Sequence, residues 1–139
     1  MTKDQIKEIL PHREPMLLID EVELSDGIAT AKYTVRGDEF FLQGHFPGNP
    51  VVPGVILCEM LAQSACVLIQ GGGVPYFTGL DGVKFRGTVK PGDTLCIESE
   101  LIKNKNNFYK IKAKGSVNDK LCVSGELTVA LIKDISKGD

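Results

Sequence analysis

Pro53-Gly54-Val55-Ile56-Leu57-Cys58-Glu59-Met60-Leu61-Ala62-Gln63-Ser64-Ala65-Cys66-Val67-Leu68-Ile69-Gln70 is almost continuously apolar, opens on a proline and runs into Gly71-Gly72-Gly73. Proline suits the first helical position and the glycines end a helix, so the stretch reads as one helix from Pro53 to Gln70. At 1.5 Å per residue it would extend about 27 Å, and being apolar on nearly every face it should be enclosed by protein. A membrane span is the poorer reading. Glu59, Gln63 and Ser64 fall in its middle, and each polar group in hydrocarbon costs free energy on the kcal/mol scale.

Outside this stretch the period changes to two. From Ile28 to Val35, Ala29, Ala31, Tyr33 and Val35 alternate with Thr30, Lys32 and Thr34, which is the pattern of a half-buried strand. Tyr76 to Phe85 reads as another, followed after Pro91-Gly92-Asp93 by Thr94 to Ile102, Phe108 to Val117 and Lys120 to Ile132. Asn118-Asp119 suits a two-residue hairpin turn. The short connections leave no room for crossover helices, so the sheet is expected to be antiparallel and to wrap the one buried helix, an α+β arrangement.

The 139 residues, 42% hydrophobic and 24% charged, suit a single domain over 1–139 with a real core. A formal net charge of -2 lacks the basic footprint of a nucleic-acid binder. Lys3, Asp4, Lys7 and Glu8 near the start exclude the apolar core of a signal peptide, and no membrane association is expected. Cys58, Cys66, Cys96 and Cys122 lie in apolar or alternating segments without a C-x-x-C pair. That spacing fits buried free thiols in a reducing compartment, hence the cytoplasm.

Glu59 carries the most information about chemistry, because an acid within a buried helix must be neutralised, paired or used. Gln63, one turn on, faces the same way and is placed to hydrogen-bond its carboxyl group. The bland alternative is a rim glutamate paired with a lysine of the sheet. Of the two histidines, His12 and His45, the second sits in Gly44-His45-Phe46-Pro47-Gly48-Asn49-Pro50-Val51-Val52-Pro53-Gly54. Three prolines stiffen this loop, as a general base requires, although a loop histidine bonded to a carbonyl would look the same. At Gly54 the first helical turn has N–H groups without internal partners, and a glycine lets a ligand carbonyl approach them. Cys58 points about 100° away from Glu59 and reads as a small core residue and not as a nucleophile. The histidines and thiols have no metal-ligand spacing, so neither a metal nor a cofactor is expected. Lys110, Lys112 and Lys114 read as a solvated strand face.

Leu10-Pro11-His12-Arg13-Glu14-Pro15-Met16-Leu17-Leu18-Ile19-Asp20, the His45 loop through Val55, Glu59-Met60-Leu61-Ala62-Gln63, and Lys84-Phe85-Arg86 to Pro91-Gly92-Asp93 together resemble the FabZ family. These are the (3R)-hydroxyacyl-[acyl-carrier-protein] dehydratases of type II fatty acid synthesis. The motifs occur in family order over nearly the whole chain. The resemblance implies a hot-dog fold and homodimers that assemble into hexamers as trimers of dimers. It also implies active sites that take His45 from one subunit and Glu59 from the other.

By the same resemblance His45 would remove the C2 proton of a 3-hydroxyacyl thioester, Glu59 would protonate the departing hydroxyl, and the Gly54 amide would polarise the thioester carbonyl. Phe46, Val55, Gln63 and Tyr76 would line the substrate, Tyr76 at the position of a tyrosine that gates the acyl tunnel. Lys84 and Arg86 match basic positions that would meet the acidic acyl carrier protein. The sequence departs from the family at Gly87-Thr88, where a proline is common. Three rivals stay open: a dehydratase-isomerase, which resembles an Asp at the acid position; a hot-dog thioesterase; and a non-catalytic acyl-thioester sensor, which would need a DNA-binding appendage for which 139 residues leave no space.

Overall fold

Alternation of apolar and polar residues converts directly into strands. The computed structural model describes residues 1–69 and 73–132, in which β1 (Glu21–Ser25), β2 (Ile28–Thr34), β3 (Val74–Phe85), β4 (Thr94–Lys105), β5 (Phe108–Val117) and β6 (Lys120–Ile132) form one sheet. Its order is β1-β2-β4-β5-β6-β3, and every neighbouring pair is antiparallel. In β2, Ala29, Ala31 and Tyr33 are buried while Ile28, Thr30 and Lys32 are exposed, as the period of two requires. Asn118 and Asp119 both have left-handed φ, 49° and 64°, the geometry of a type I′ hairpin turn.

Among the described residues one α-helix and one β-strand lie outside the expected pattern. Helix α1 (Lys3–Ile9) is opened by Thr2 and Gln5, which cap each other's backbone N–H groups, a capping box that offsets the cost of so short a helix. Strand β1 pairs with β2 through Asp26-Gly27, at φ 53° and 78°, a second turn of the same class. Both strands at that corner carry exposed polar residues, so hydropathy alone is a weak guide there.

The central helix is shorter than expected. Helix α2 covers Gly54–Ala65, Cys66–Leu68 tighten into a 3₁₀ turn, and Ile69 is already extended; Gln70, Gly71 and Gly72 lie outside the described residues. Pro53 caps the helix in an extended conformation and is not its first helical residue. Apolarity continues past Ala65 because the chain stays buried, not because it stays helical. Leu57, Met60 and Leu61 pack with Leu95, Ile97 and Leu127 of the sheet in the main core. The N-terminal end escapes this enclosure: Val55 is 76% exposed.

Among the described residues the sheet ends on β1 and β3, and β3 pairs only with β6. Along this edge Tyr76, Phe77, Leu80 and Phe85 are 40–55% exposed. A long apolar edge of this kind is a template for another strand. Cys58, Cys66 and Cys122 are buried free thiols, but Cys96 is exposed. The pleat that turns Leu95 and Ile97 inward turns Cys96 outward. No helix among the described residues is long and apolar enough to cross a membrane.

Candidate active site

One turn of α2 separates Glu59 from Gln63, and the amide Nε2 of Gln63 donates to Glu59 Oε2 at 2.9 Å. Gln63 is 2% exposed. Its Oε1 accepts the Leu18 N–H at 2.8 Å, and its Nε2 also donates to the Met16 carbonyl at 2.7 Å. An N–H can only donate and a carbonyl can only accept, so these contacts fix the amide orientation and use both of its hydrogens. Glu59 Oε2 has a second partner, His12 Nε2 at 3.2 Å. The carboxyl group therefore pairs with the segment before β1 and not with a lysine of the sheet. That segment is held in turn by Arg13, whose guanidinium donates to the carbonyls of Lys7, Leu10 and His12.

Glu59, with its side chain 21% exposed, opens onto a groove of about 310 Å³ shared with His12, Ala62, Gln63, Cys66 and Tyr76, at the low end of small-molecule pockets. Burial pushes the Cys66 thiol up to about 12, with the Glu59 charge adding to it, and burial raises Cys58 as well. Neither is a thiolate near neutral pH, which leaves the groove without a sulfur nucleophile. Tyr76, 55% exposed, is one of its lining residues.

His45 occupies a different place. Its loop is closed by reciprocal backbone hydrogen bonds between Phe46 and Asn49 and by Val51 N–H to the His45 carbonyl, and Val52 N–H ties it to Val89. Upstream, the Glu39 carboxylate accepts from Tyr33 Oη, Arg36 N–H and Gly37 N–H. Burial works against its charge, but these donors outweigh burial and keep Glu39 below the usual carboxylate range. His45 Nδ1 lies 3.1 Å from the Val51 carbonyl oxygen. That oxygen can only accept, so Nδ1 carries a hydrogen, and in a neutral ring the lone pair is then on Nε2. This carbonyl contact is compatible with an idle loop histidine and with a base alike. The His45–Phe46 peptide is cis, and the two rings stack with centroids 4.3 Å apart.

Gly54 begins α2, where its N–H has no intrahelical acceptor and Pro53 offers no side-chain cap. A Cβ at Gly54 would lie 3.0 Å from the Phe85 ring, so a larger residue there would require this half-exposed ring to shift. His45, Phe46, Gly54 and Val55 do not line the groove beside Glu59.

Lys84 and Arg86 are exposed on the sheet face away from α2. They border a groove of about 610 Å³ with Glu98, Glu100, Lys112 and Lys114. This face is mixed in charge, and the lysine stripe of β5 is solvated, with Lys114 3.6 Å from Glu98 and Lys110 4.0 Å from Asp81. Among the described residues Lys84 and Arg86 form no ion pair. His12 is the site residue that periodicity did not single out. It lies in an irregular segment, and only its place between Pro11 and Arg13 sets it apart.

The ApeI-like family, described as ApeI dehydratase, matches residues 21–126. The chain is 42% identical over 137 residues to the 3-hydroxyacyl-[acyl-carrier-protein] dehydratase FabZ of Clostridium perfringens, covering 94% of this chain and 99% of that one. It is 44% identical over 135 residues to the FabZ of Oenococcus oeni, covering 91% and 96%. The solved dehydratase heterocomplex ApeI:P from Xenorhabdus doucetiae superposes with a TM-score of 0.80 at 23% identity, over 93% of this chain and 91% of that chain, which establishes the shared hot-dog fold. With a helix wrapped by an antiparallel sheet, and with this similarity running over nearly its full length, the chain belongs to the FabZ family of dehydratases.

Proposed function

We propose that this dehydratase converts (3R)-hydroxyacyl groups on acyl carrier protein into trans-2-enoyl groups, in type II fatty acid synthesis in the cytoplasm. The Glu59 carboxyl group, held by Gln63 and His12 at a groove, is the observation that carries the reading. His45 Nε2 takes the proton from C2, and the electron pair left behind forms the C2–C3 double bond as the C3–O bond breaks. Glu59 gives its proton to the departing hydroxyl, which leaves as water. The Gly54 N–H, at the positive end of α2, donates to the thioester oxygen as enolate-like charge develops there, an interaction worth several kcal/mol in such sites. Phe46 and Val55, exposed beside His45 and Gly54, flank the thioester, and Tyr76 gates the acyl chain. Gln63 positions the acid, since its own hydrogens are spent. Glu59 in place of an aspartate favours dehydration without movement of the double bond.

The site is completed by a second copy of the chain. His45 is absent from the groove of Glu59, and the open β3 edge with its exposed aromatics invites the same edge of a partner. In such a homodimer, itself a unit of a hexamer, His45 of one subunit meets Glu59 of the other. Lys84 and Arg86, free of ion pairs among the described residues, dock the acidic carrier protein.

Incubation with 3-hydroxyacyl and trans-2-enoyl thioesters on carrier protein is expected to give conjugated enoyl absorbance that rises with the first and falls with the second, with no free thiol released. Thiol release without absorbance change would instead identify a thioesterase. Reversing charge at both Lys84 and Arg86 is expected to raise KM for the carrier-bound substrate and leave a small thioester mimic unaffected. Equal effects on both substrates would remove the docking role.

A further inference from the structure

Leu10-Pro11-His12-Arg13 is a motif to which neither the base, the acid nor the oxyanion donor has given a task. The guanidinium of Arg13 folds this segment onto its own carbonyls, which delivers the His12 ring to Glu59. His12 Nε2 lies 3.2 Å from Glu59 Oε2, and its Nδ1 is buried with no partner among the described residues. An unpaired buried N–H donor is less tolerable than an unpaired lone pair, so the neutral ring keeps its hydrogen on Nε2 and leaves Nδ1 bare. Nε2 then donates to Oε2, the oxygen that already accepts from Gln63.

We propose that His12 is a positioning residue that, with Gln63, reserves Glu59 Oε2 as an acceptor and so places the acid proton on Oε1, the oxygen that gives it up. The inference rests on Glu59 being the acid. Two N–H donors on one oxygen complement the carboxylate that forms as the proton leaves, so their hydrogen bonds strengthen along the reaction and act on kcat more than on KM. A merely structural histidine would have no such bias. Only the N–H at the Nε2 position matters to this role, and glutamine carries an N–H at similar reach.

The test uses the full-length enzyme with carrier-bound 3-hydroxyacyl substrate. His12→Phe is expected to lower kcat about 10- to 100-fold with KM nearly unchanged, within the range of a lost positioning contact. His12→Gln is expected to recover most of that loss. In wild-type protein, ¹⁵N shifts of the His12 ring should show a protonated Nε2 and a bare Nδ1, a measurement that needs no variant to fold. A hydrogen on Nδ1, a normal kcat in His12→Phe, or a His12→Gln variant as slow as His12→Phe would each overturn the proposal. Failure of the underlying reading looks different: Glu59→Gln would then itself turn over normally.

Discussion

Glu59→Gln is expected to lower kcat for dehydration by about 10²- to 10⁴-fold, the usual contribution of a positioned general acid. The substitution keeps the side-chain shape, and the new amide oxygen can still accept from Gln63 and His12, whose donors lie 2.9 Å and 3.2 Å from Oε2. What it lacks is a proton to give to the leaving hydroxyl. Without that proton hydroxide itself must leave, and the barrier rises accordingly. The unfolding midpoint should stay near that of the wild type, because the hydrogen bonds that join α2 to Met16 and Leu18 run through Gln63 and are untouched. Near-normal dehydration by a folded variant would remove Glu59 from the mechanism.

His45→Asn is expected to have an effect of the same order, again about 10²- to 10⁴-fold in kcat, for a separable reason. An asparagine amide can reproduce the donor that His45 Nδ1 offers to the Val51 carbonyl at 3.1 Å, so the loop keeps its anchor. It offers nothing in place of the Nε2 lone pair. Steady-state kinetics beside a thermal melt separate the two functions of the ring: loss of rate with an unchanged midpoint supports the base, whereas a retained rate would assign His45 to loop structure alone.

Much of the fold was legible because its strands sit between a packed helix and solvent. Ala29, Ala31 and Tyr33 had to alternate with polar neighbours, and β2, β5 and β6 fall within a residue of where that period places them. Helix α2 was legible in kind but not in length. A fully buried run is apolar whether it is helical or extended, so hydropathy cannot report that the chain tightens at Cys66 and leaves the helix by Ile69. Helix α1 and strand β1 carry local signals, Thr2 with Gln5 and Asp26 with Gly27, that are weak beside periodicity and decisive in the structure.

The site divides the same way. The four-residue spacing of Glu59 and Gln63 is a property of one helix, and their hydrogen bond follows from it. His12 reaches Glu59 across 47 positions of chain, a contact set by how Arg13 folds its loop and invisible to any local pattern. The mixed charge around Lys84 and Arg86 likewise arises from β4 and β5 lying beside β3 and β6 in the sheet.

The central claim is that a complete site draws its base and its acid from two copies of the chain, and mixing two inactive variants addresses it directly. His45→Asn and Glu59→Gln subunits, unfolded together and refolded as a mixture, form mixed dimers in which one site has both native groups and the other has neither. Random pairing then predicts recovery of about a quarter of wild-type activity from two preparations that are each nearly inactive. A mixture that stays inactive while mixed dimers are demonstrably present would contradict the account.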